Sequence, residues 1–282
     1  MFYVSTTFIQ DNKSIFEALN MLKKEKICNI ELGSNHIWEK KINFLKFKNY
    51  NLCVHNYFPV PKKNIVVNIA SLNEKLRLKS LKHIKNSIKF SQKINAKLYT
   101  FHPGFLTDPD GSNISKKNYD FLWNKKKLIS SSYKKSWNLM IKSLKEIIRY
   151  SKKYKVKIAI ESEGSLNSKN HLLMQRPAEF KKLFKIFKNN EFGVNLNVGH
   201  LNLASKAFKF NKTKFINQIN RYIVAMELSH NFGKNDDHLP IREGAWYWKI
   251  IKDPKYSKIP KILEFRNTSI FQIKKIYNSL KN

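Results

Sequence analysis

Residues 156–162 read VKIAIES and residues 261–265 read KILEF. Each segment is a short apolar run that reaches a glutamate, Glu161 in the first and Glu264 in the second. Short runs rich in Ile and Val are typical of buried β-strands. A carboxylate at the end of such a strand is costly to bury unless it is paired or binds a metal ion. The two segments therefore predict buried strands that end in functional carboxylates.

Eight such β-rich runs alternate with helical patterns along the chain. Helices are expected at about Ser14–Lys24, Ile37–Lys46, Leu72–Lys93, Tyr133–Lys153, from Pro177, at Lys212–Asn220 and at the C-terminus. This alternation predicts an α/β fold, a single (β/α)₈ TIM barrel with a closed parallel sheet. The alternative, a doubly wound open sheet, lacks its usual G-x-G-x-x-G motif here. The eight runs are Phe2–Ser5, Cys28–Leu32, Leu52–Tyr57, Leu98–His102, Val156–Ser162, Gly193–Val198, Ile223–Ser229 and Lys261–Phe265.

Length and composition agree with one enzyme-sized domain over residues 1–282. The formal net charge is +34, but only six of the 54 basic residues are arginines. Because arginine is the usual residue for bidentate phosphate and base recognition, this excess lysine fits either solvated helix faces or a polyanion-binding surface. Two cysteines, both expected to be buried thiols, exclude a disulfide framework and suggest a reducing cytoplasm. No signal peptide and no membrane span are expected, so we predict a cytoplasmic protein without a membrane partner.

Potential metal ligands stand at the carboxyl ends of the predicted strands, where a barrel places its catalytic groups. Five of the eight histidines fall at this rim. Imidazoles and carboxylates are the usual ligands of zinc, manganese and related ions, so the rim is expected to hold one to three metal ions. The candidates are His55, His102, Glu161, Asn197, His200, His230, Asp236, His238 and Glu264.

Other residues are interpreted more simply. We expect His36, His83 and His171 on the surface, because they lie in helical or loop contexts. Trp246 is expected either to line the pocket or to anchor the following segment, and it is grouped with Arg266 as a substrate contact. The polar stretch after His102, residues 106–127, is expected to form a lid or, through its lysines, a phosphate clamp.

The motifs FHPG, IAIES, NVGH, SHNFGKNDDH and ILEF together resemble the xylose-isomerase-like barrel superfamily. The superfamily contains sugar and sugar-phosphate isomerases and epimerases, and also the endonuclease-IV-type apurinic endonucleases (AP endonuclease family 2). The resemblance implies a metal-dependent enzyme, with zinc, manganese, magnesium or cobalt as the cofactor. It runs from about the second strand to the end of the chain.

The endonuclease branch implies three metal ions. One would bind His55 and His102 with Glu161 as a bridge, and the second would use Glu161, Asn197, His230 and Glu264. The third would bind His200, Asp236 and His238. Asn197 departs from the family pattern, which has an aspartate at this position.

The isomerase branch implies one ion, held by Glu161, Asn197, His230 and Glu264, with the two glutamates moving protons at a sugar carbon. The loop DDHLPIREGAWYW resembles this branch, whereas His55, His102 and the basic charge favour the endonuclease branch. We predict a sugar or sugar-phosphate isomerase or epimerase, with an endonuclease acting on abasic DNA as the alternative. An inactive barrel marked by Asn197 is a third hypothesis. The sequence leaves a homo-oligomer open, and either enzyme requires Glu161, His230 and Glu264 to meet.

Overall fold

Eight parallel strands close into a barrel in the computed structural model, which describes residues 1–9, 13–114, 119–123 and 132–281. The barrel strands are β1 Phe2–Ser5, β2 Asn29–Leu32, β3 Asn51–His55, β4 Leu98–Phe101, β7 Ile158–Glu161, β8 Gly193–Asn197, β9 Ile223–Leu228 and β10 Lys261–Leu263. Around the barrel they follow the order β1, β10, β9, β8, β7, β4, β3, β2, and β2 pairs with β1. The predicted (β/α)₈ barrel is therefore confirmed.

Helices follow most strands and pack their apolar faces against the barrel. The first helix starts with a capping box, in which Ser14 and Glu17 satisfy each other's backbone N–H groups. None of the described helices is long and apolar enough to cross a membrane. The helices are α1 Ile15–Lys24, α2 Glu74–Lys93, α3 Ser132–Tyr154, α4 Pro177–Phe184, α5 Val198–Phe208, α6 Lys212–Ile219, α7 Trp248–Lys252 and α8 Ile270–Ser279.

The helix expected at Ile37–Lys46 is wrong, since this segment contains only a short 3₁₀ turn at Phe44–Phe47. Ile37, Trp38 and Leu45 are exposed there. A short helix in water needs a continuous apolar face packed on the core, and this segment has none. Helix α5, which begins directly after β8, was not predicted from the sequence.

A second pair of strands lies in the connection between β4 and α3, where the sequence suggested an irregular polar loop. Strands β5, Gly111–Ile114, and β6, Tyr119–Leu122, form an antiparallel hairpin in which Gly111 is opposite Leu122. The lysines of the expected phosphate clamp, in 116–117 and 125–127, lie outside the described residues. The hairpin lies in the stretch that was expected to form a lid. The phosphate clamp stays a prediction.

The barrel interior consists of an apolar layer below a polar one. Tyr3, Cys53, Leu98, Ala159, Ala225 and Ile262 form a buried cluster inside the barrel. Side chains two residues apart on a strand face the same way, so the next inward layer comes two positions later. That layer contains His55, Thr100, Glu161, Glu227 and Glu264, all buried.

Three histidines expected on the surface are buried instead. His36, His83 and His171 are each no more than 7% exposed. Each ring meets a polar partner that compensates for its burial, such as the Thr6 hydroxyl 2.9 Å from His36 Nε2. Sequence context could not reveal this, because the partners come from distant parts of the chain. Cys53 is buried as expected, but Cys28 is exposed.

His36 should make the protein less stable in acid. Burial lowers its pKa to about 4. The unfolded chain therefore binds a proton as pH falls below about 6.5, whereas the folded protein does not until about pH 4. We expect His36→Gln to remove about 3 kcal/mol of the loss in unfolding free energy between pH 7 and pH 4. Urea titrations at several pH values measure this, and identical pH profiles for variant and wild type would contradict it.

Candidate metal centre

A cavity of about 120 Å³ opens at the carboxyl ends of the barrel strands. Four imidazoles and four carboxylates line it, together with aromatic side chains from the β4–α3 connection. Among the described residues, Arg266 is the only lysine or arginine in its wall, so the basic surface does not extend into it. The histidines, carboxylates and arginine in its wall are His55, His102, Glu161, Glu163, His200, Asp236, His238, Glu264 and Arg266.

His55, His102 and Glu161 form the first group able to hold a metal ion. His55 ends β3, His102 follows β4 and Glu161 ends β7, and these three strands are neighbours in the barrel. Glu161 Oε2 lies 3.8 Å from His55 Nε2 and 3.6 Å from His102 Nδ1. Two ligands of one zinc ion lie about this far apart when each is about 2.1 Å from it. The structure thus assembles three of the predicted ligands.

His200, Asp236 and His238 form a second group. His200 lies in the first turn of α5, and the other two lie in the loop after β9. Asp236 Oδ2 is 3.3 Å from His200 Nε2 and 2.7 Å from His238 Nε2. His238 reaches this position with a left-handed backbone, φ +47°. These residues also match their predicted positions.

Glutamates connect the two groups into one buried network. His200 Nδ1 lies 3.0 Å from Glu161 Oε1, and His238 Nδ1 lies 3.2 Å from Glu264 Oε2. His102 Nδ1 lies 2.5 Å from Glu163 Oε1. Imidazoles and carboxylates therefore alternate along the cavity wall.

The network sets the protonation of its members. Burial alone would raise the pKa of Glu161, but the charges of His102, His200 and His55 hold it well below its usual value. Burial likewise opposes protonation of His102, but Glu163 and Glu161 raise its pKa to about 9. In Glu227 burial dominates and raises the pKa well above its usual value, with the charge of Glu161 adding to it. Without metal, the network thus contains both ionised and neutral carboxyl groups.

Asn197 contacts the network through its N–H groups rather than through its oxygen. Its side-chain oxygen accepts the backbone N–H of His200 and caps α5, which fixes the orientation of the amide. The NH₂ group then donates to Glu161 Oε1 and to Glu227 Oε2, at 2.9 and 3.0 Å. The oxygen and the NH₂ group of Asn197 thus both have protein partners, and Asn197 is not among the residues that line the cavity, so its role as a metal ligand stays a prediction.

His230 lies away from the two groups. It follows the end of β9, and its Nδ1 is 3.0 Å from the Tyr247 hydroxyl. Its ring packs edge-on against Phe232, and it is not among the residues that line the cavity. The structure therefore does not bring His230 together with Glu161 and Glu264, as both enzyme hypotheses required. Beside Glu161 the imidazoles are those of His55 and His102, so a metal-dependent enzyme would have to use these instead of His230. Glu161 and Glu264 both line the cavity as expected.

The two residues predicted to contact the substrate, Arg266 and Trp246, lie in different places. Arg266 lines the cavity, whereas Trp246 does not. Trp246 is half-buried against the core and lies under the Lys212 ammonium, 4.3 Å from its ring centroid. Of the two roles considered for Trp246, the structure favours that of an anchor for its segment.

Three buried glutamates in or next to the network were not predicted from the sequence: Glu31, Glu163 and Glu227. Strand alternation could have found two of them. In β9, Ala225 faces the interior and Glu227 comes two positions later, whereas His230 has the opposite parity. By the same rule Glu163 stands one layer above Glu161. The sequence prediction relied on the histidines that follow the strands and did not apply strand alternation to the glutamates.

The donor set suits a divalent transition metal ion. Each group combines two imidazoles with one carboxylate, as zinc sites with an open position do. Glu161 Oε2 and Asp236 Oδ1 are buried oxygens with no hydrogen-bond partner in the described part of the chain. Such oxygens are costly to bury unless a cation or proton satisfies them. The residues present therefore fit a metal ion at either group.

The closed (β/α)₈ barrel, with potential metal ligands at the carboxyl ends of its strands, is the architecture of a class of TIM barrels with metal sites. Residues 39–281 match the family model described as the xylose isomerase-like TIM barrel, and the chain belongs to this family. The resemblance inferred from the motifs is thereby confirmed.

Three similar proteins cover almost the whole chain. An uncharacterized protein of Methanocaldococcus jannaschii is 26% identical over 283 residues, 99% of this chain and 97% of the relative. The solved structure of a D-tagatose 3-epimerase-like protein has a TM-score of 0.74 at 19% identity and covers 99% of this chain and 95% of its own. Endonuclease IV from Thermus thermophilus has a TM-score of 0.61 at 11% identity, with 99% and 97% covered. At these identities the solved structures establish the fold alone.

Replacing Asn197 by aspartate should make stability depend on metal. The variant loses two N–H donors and places a third carboxylate against Glu161 and Glu227. We expect Asn197→Asp to cost about 3 kcal/mol of unfolding free energy in EDTA, because a buried charge loses its compensation. Added zinc or manganese should recover part of this loss.

Urea denaturation with EDTA and with metal measures the effect. Asn202→Asp is the matched control, since Asn202 is a buried asparagine beside Lys212 and outside the network. An Asn197→Asp variant as stable as wild type in EDTA would show that the amide N–H groups do not stabilise the two carboxylates.

Proposed function

We propose that this protein is a divalent-metal-dependent isomerase or epimerase of a sugar or sugar phosphate. The observation that carries the proposal is the cavity, in which Glu161 and Glu264 face a small space beside the first ligand group. A volume of about 120 Å³ lies below the roughly 300–1,000 Å³ typical of drug-sized ligands. It suits a small polar substrate.

Aromatic side chains enclose this cavity on the side of the hairpin. Phe105, Phe121 and Trp123 line it and pack edge-on against one another, with ring centroids 5.2–5.6 Å apart. Trp123 also stacks on His171 and donates its indole N–H to Ser168. The apolar face of a sugar ring packs on such a surface, while its hydroxyl groups meet the carboxylates opposite. The enclosure also excludes water from the reacting carbon.

Glu161 is the group proposed to remove a proton from the substrate. It is ionised, because His102, His200 and His55 keep its pKa low, and it lines the cavity. Glu264 lies three strands away around the barrel, so the two carboxylates approach a bound substrate from different sides. Proton removal on one side and return on the other inverts a carbon centre, and return to the adjacent carbon gives isomerisation.

His238 supplies a proton on the Glu264 side. Its Nδ1 lies 3.2 Å from Glu264 and its Nε2 lies 2.7 Å from Asp236, so both ring nitrogens face carboxylate oxygens. An imidazole between two carboxylates is favoured in its doubly protonated form. Glu264 can therefore receive a proton from His238 and pass it to the substrate.

A metal ion at His55, His102 and Glu161 would act as a Lewis acid that makes the neighbouring C–H bond more acidic. The protein's own part is to hold these ligands on three adjacent strands and to orient them. Glu163 contacts His102 Nδ1 in the structure, so an ion bound through this nitrogen would take the place of that contact.

Solvent deuterium provides the test. The metal-loaded protein is incubated in D₂O with a panel of aldoses, ketoses and their phosphates, and products are analysed by NMR. We expect a product inverted at one carbon, or with a shifted carbonyl, that carries solvent deuterium at the reacting carbon. Glu264→Gln should lower the rate by about 10²-fold or more, because it removes proton transfer.

Glu146→Gln is the control, since Glu146 lies on the outer face of α3 and pairs with Lys85. This variant should react at the wild-type rate. Metal content is measured in parallel, so that loss of the ion is separated from loss of the proton carrier. Absence of deuterium incorporation across the panel, with the metal bound, would refute the proposal.

Phosphodiester hydrolysis at abasic DNA is a second candidate, and one observation favours it. Two of the three ligand groups implied by the endonuclease resemblance, those of Glu161 and of Asp236, are assembled. An abasic-site duplex is therefore included in the assay. Cleavage that disappears in Asp236→Asn, without any sugar turnover, would replace the first proposal by this one.

A further inference from the structure

Below the cavity lies a third set of ligand atoms, from Glu31, His55 and Glu227. One atom of each lies within 4.8 Å of the others, and all three residues are buried. Glu31 belongs to β2, His55 to β3 and Glu227 to β9, so the set spans the interior of the barrel. We propose that this set binds its own divalent metal ion, held beneath the catalytic cavity.

The first argument is the lack of compensation at Glu31. Its side chain is 0% exposed, and the Ser5 hydroxyl is the polar side chain that interacts with its carboxylate in the described part of the chain. Neither carboxylate oxygen has a hydrogen bond of good geometry there, and one hydroxyl could serve only one of the two oxygens. Such a buried carboxylate is costly unless a cation or a proton meets it, and Glu31 is directed into the set.

The second argument is distance. Glu227 Oε1 lies 3.4 Å from His55 Nδ1. Two atoms that each lie about 2.1 Å from one ion at the tetrahedral angle are about 3.4 Å apart. Thr100 Oγ1 lies 2.8 Å from the same nitrogen, so the ion takes the place of this hydrogen bond.

The third argument is the support around Glu227. Asn195 donates to Glu227 Oε1 at 2.7 Å and Asn197 donates to Oε2 at 3.0 Å. Each carboxylate oxygen keeps a second lone pair for an ion. Hydrogen bonds of this kind orient the carboxylates that bind metals in proteins. Asn197 is therefore a positioning residue for this ion rather than one of its ligands.

His55 connects this position with the first ligand group above it. Its Nε2 faces Glu161 and its Nδ1 faces Glu227. A neutral imidazole binds one ion, through one nitrogen, and carries its hydrogen on the other. With Nδ1 on the lower ion, Nε2–H faces Glu161 Oε2 at 3.8 Å and cannot bind the upper ion. When both positions are filled, the upper ion is therefore held by Glu161 and His102 without His55. Two carboxylates and an imidazole suit zinc, manganese or iron(II).

Metal analysis of purified protein, dialysed without chelator, tests the proposal. We expect Glu31→Gln and Glu227→Gln each to carry about one ion per chain fewer than wild type. Glu179→Gln is the matched control, because Glu179 is equally buried but its oxygens accept hydrogen bonds from Gln175, Arg176 and Tyr133. It should keep the wild-type content. An unchanged metal content in Glu31→Gln would overturn the proposal and indicate a protonated carboxyl pair instead.

Crystals of the wild-type protein give a second measurement that does not depend on whether the variants fold. Data collected at the absorption edge of the added metal should show an anomalous peak about 2.0–2.4 Å from Glu31, His55 Nδ1 and Glu227. A peak at His200, Asp236 and His238 without one here would also overturn the proposal. This measurement is independent of the deuterium assay. A protein that turns over sugars but lacks this peak would contradict only the present proposal, whereas an inactive protein that shows the peak would contradict only the proposed function.

Discussion

Buried carboxylates inside the barrel must be neutralised, and the rest of the centre is arranged around this requirement. Glu31, Glu161, Glu227 and Glu264 lie above a mostly apolar layer of side chains. Imidazoles face Glu161 and Glu264, and amide N–H groups donate to Glu227. In a medium of low dielectric constant each pairing is strong, and each missing partner is costly. A metal ion is a compact way to supply the remaining positive charge.

Asn197 shows how one atom changes such a network. Where the family pattern has an aspartate, the amide donates to Glu161 and Glu227 and draws these carboxylates together without an ion. The same side chain caps α5 and so places His200 in the first turn, against Glu161. The departure from the family pattern is thus compatible with an ordered centre.

The enclosure of the cavity and the basic surface influence different properties. The aromatic residues of the β4–α3 connection contact the cavity, while the described lysines lie outside its wall. A surface of high positive charge affects solubility and the rate of encounter with anions, whereas turnover depends on the groups next to the substrate. The charge of +34 is therefore a weak argument for a nucleic-acid substrate.

The sequence by itself determined the barrel, the family and the positions of most ligands. Alternation of apolar runs with helical patterns is a local property, and carboxyl ends of parallel strands meet at one rim in any barrel. His55, His102, Glu161, His200, Asp236, His238 and Glu264 could therefore be placed on the cavity wall from the sequence alone. The expected helix at 37–46 failed, because its formation depends on packing that a local pattern does not reveal.

Only the tertiary structure decided which side chains face one another. His230 and Glu227 lie three residues apart near the end of β9, yet strand parity directs Glu227 inward and leaves His230 beside Tyr247. The direction of the Asn197 amide depends on a backbone N–H of α5, and the burial of Glu31 depends on strands from the far end of the chain. These choices come from contacts between distant segments. Residue types and spacing specify which groups are present, but the orientation of each group follows from the packing around it.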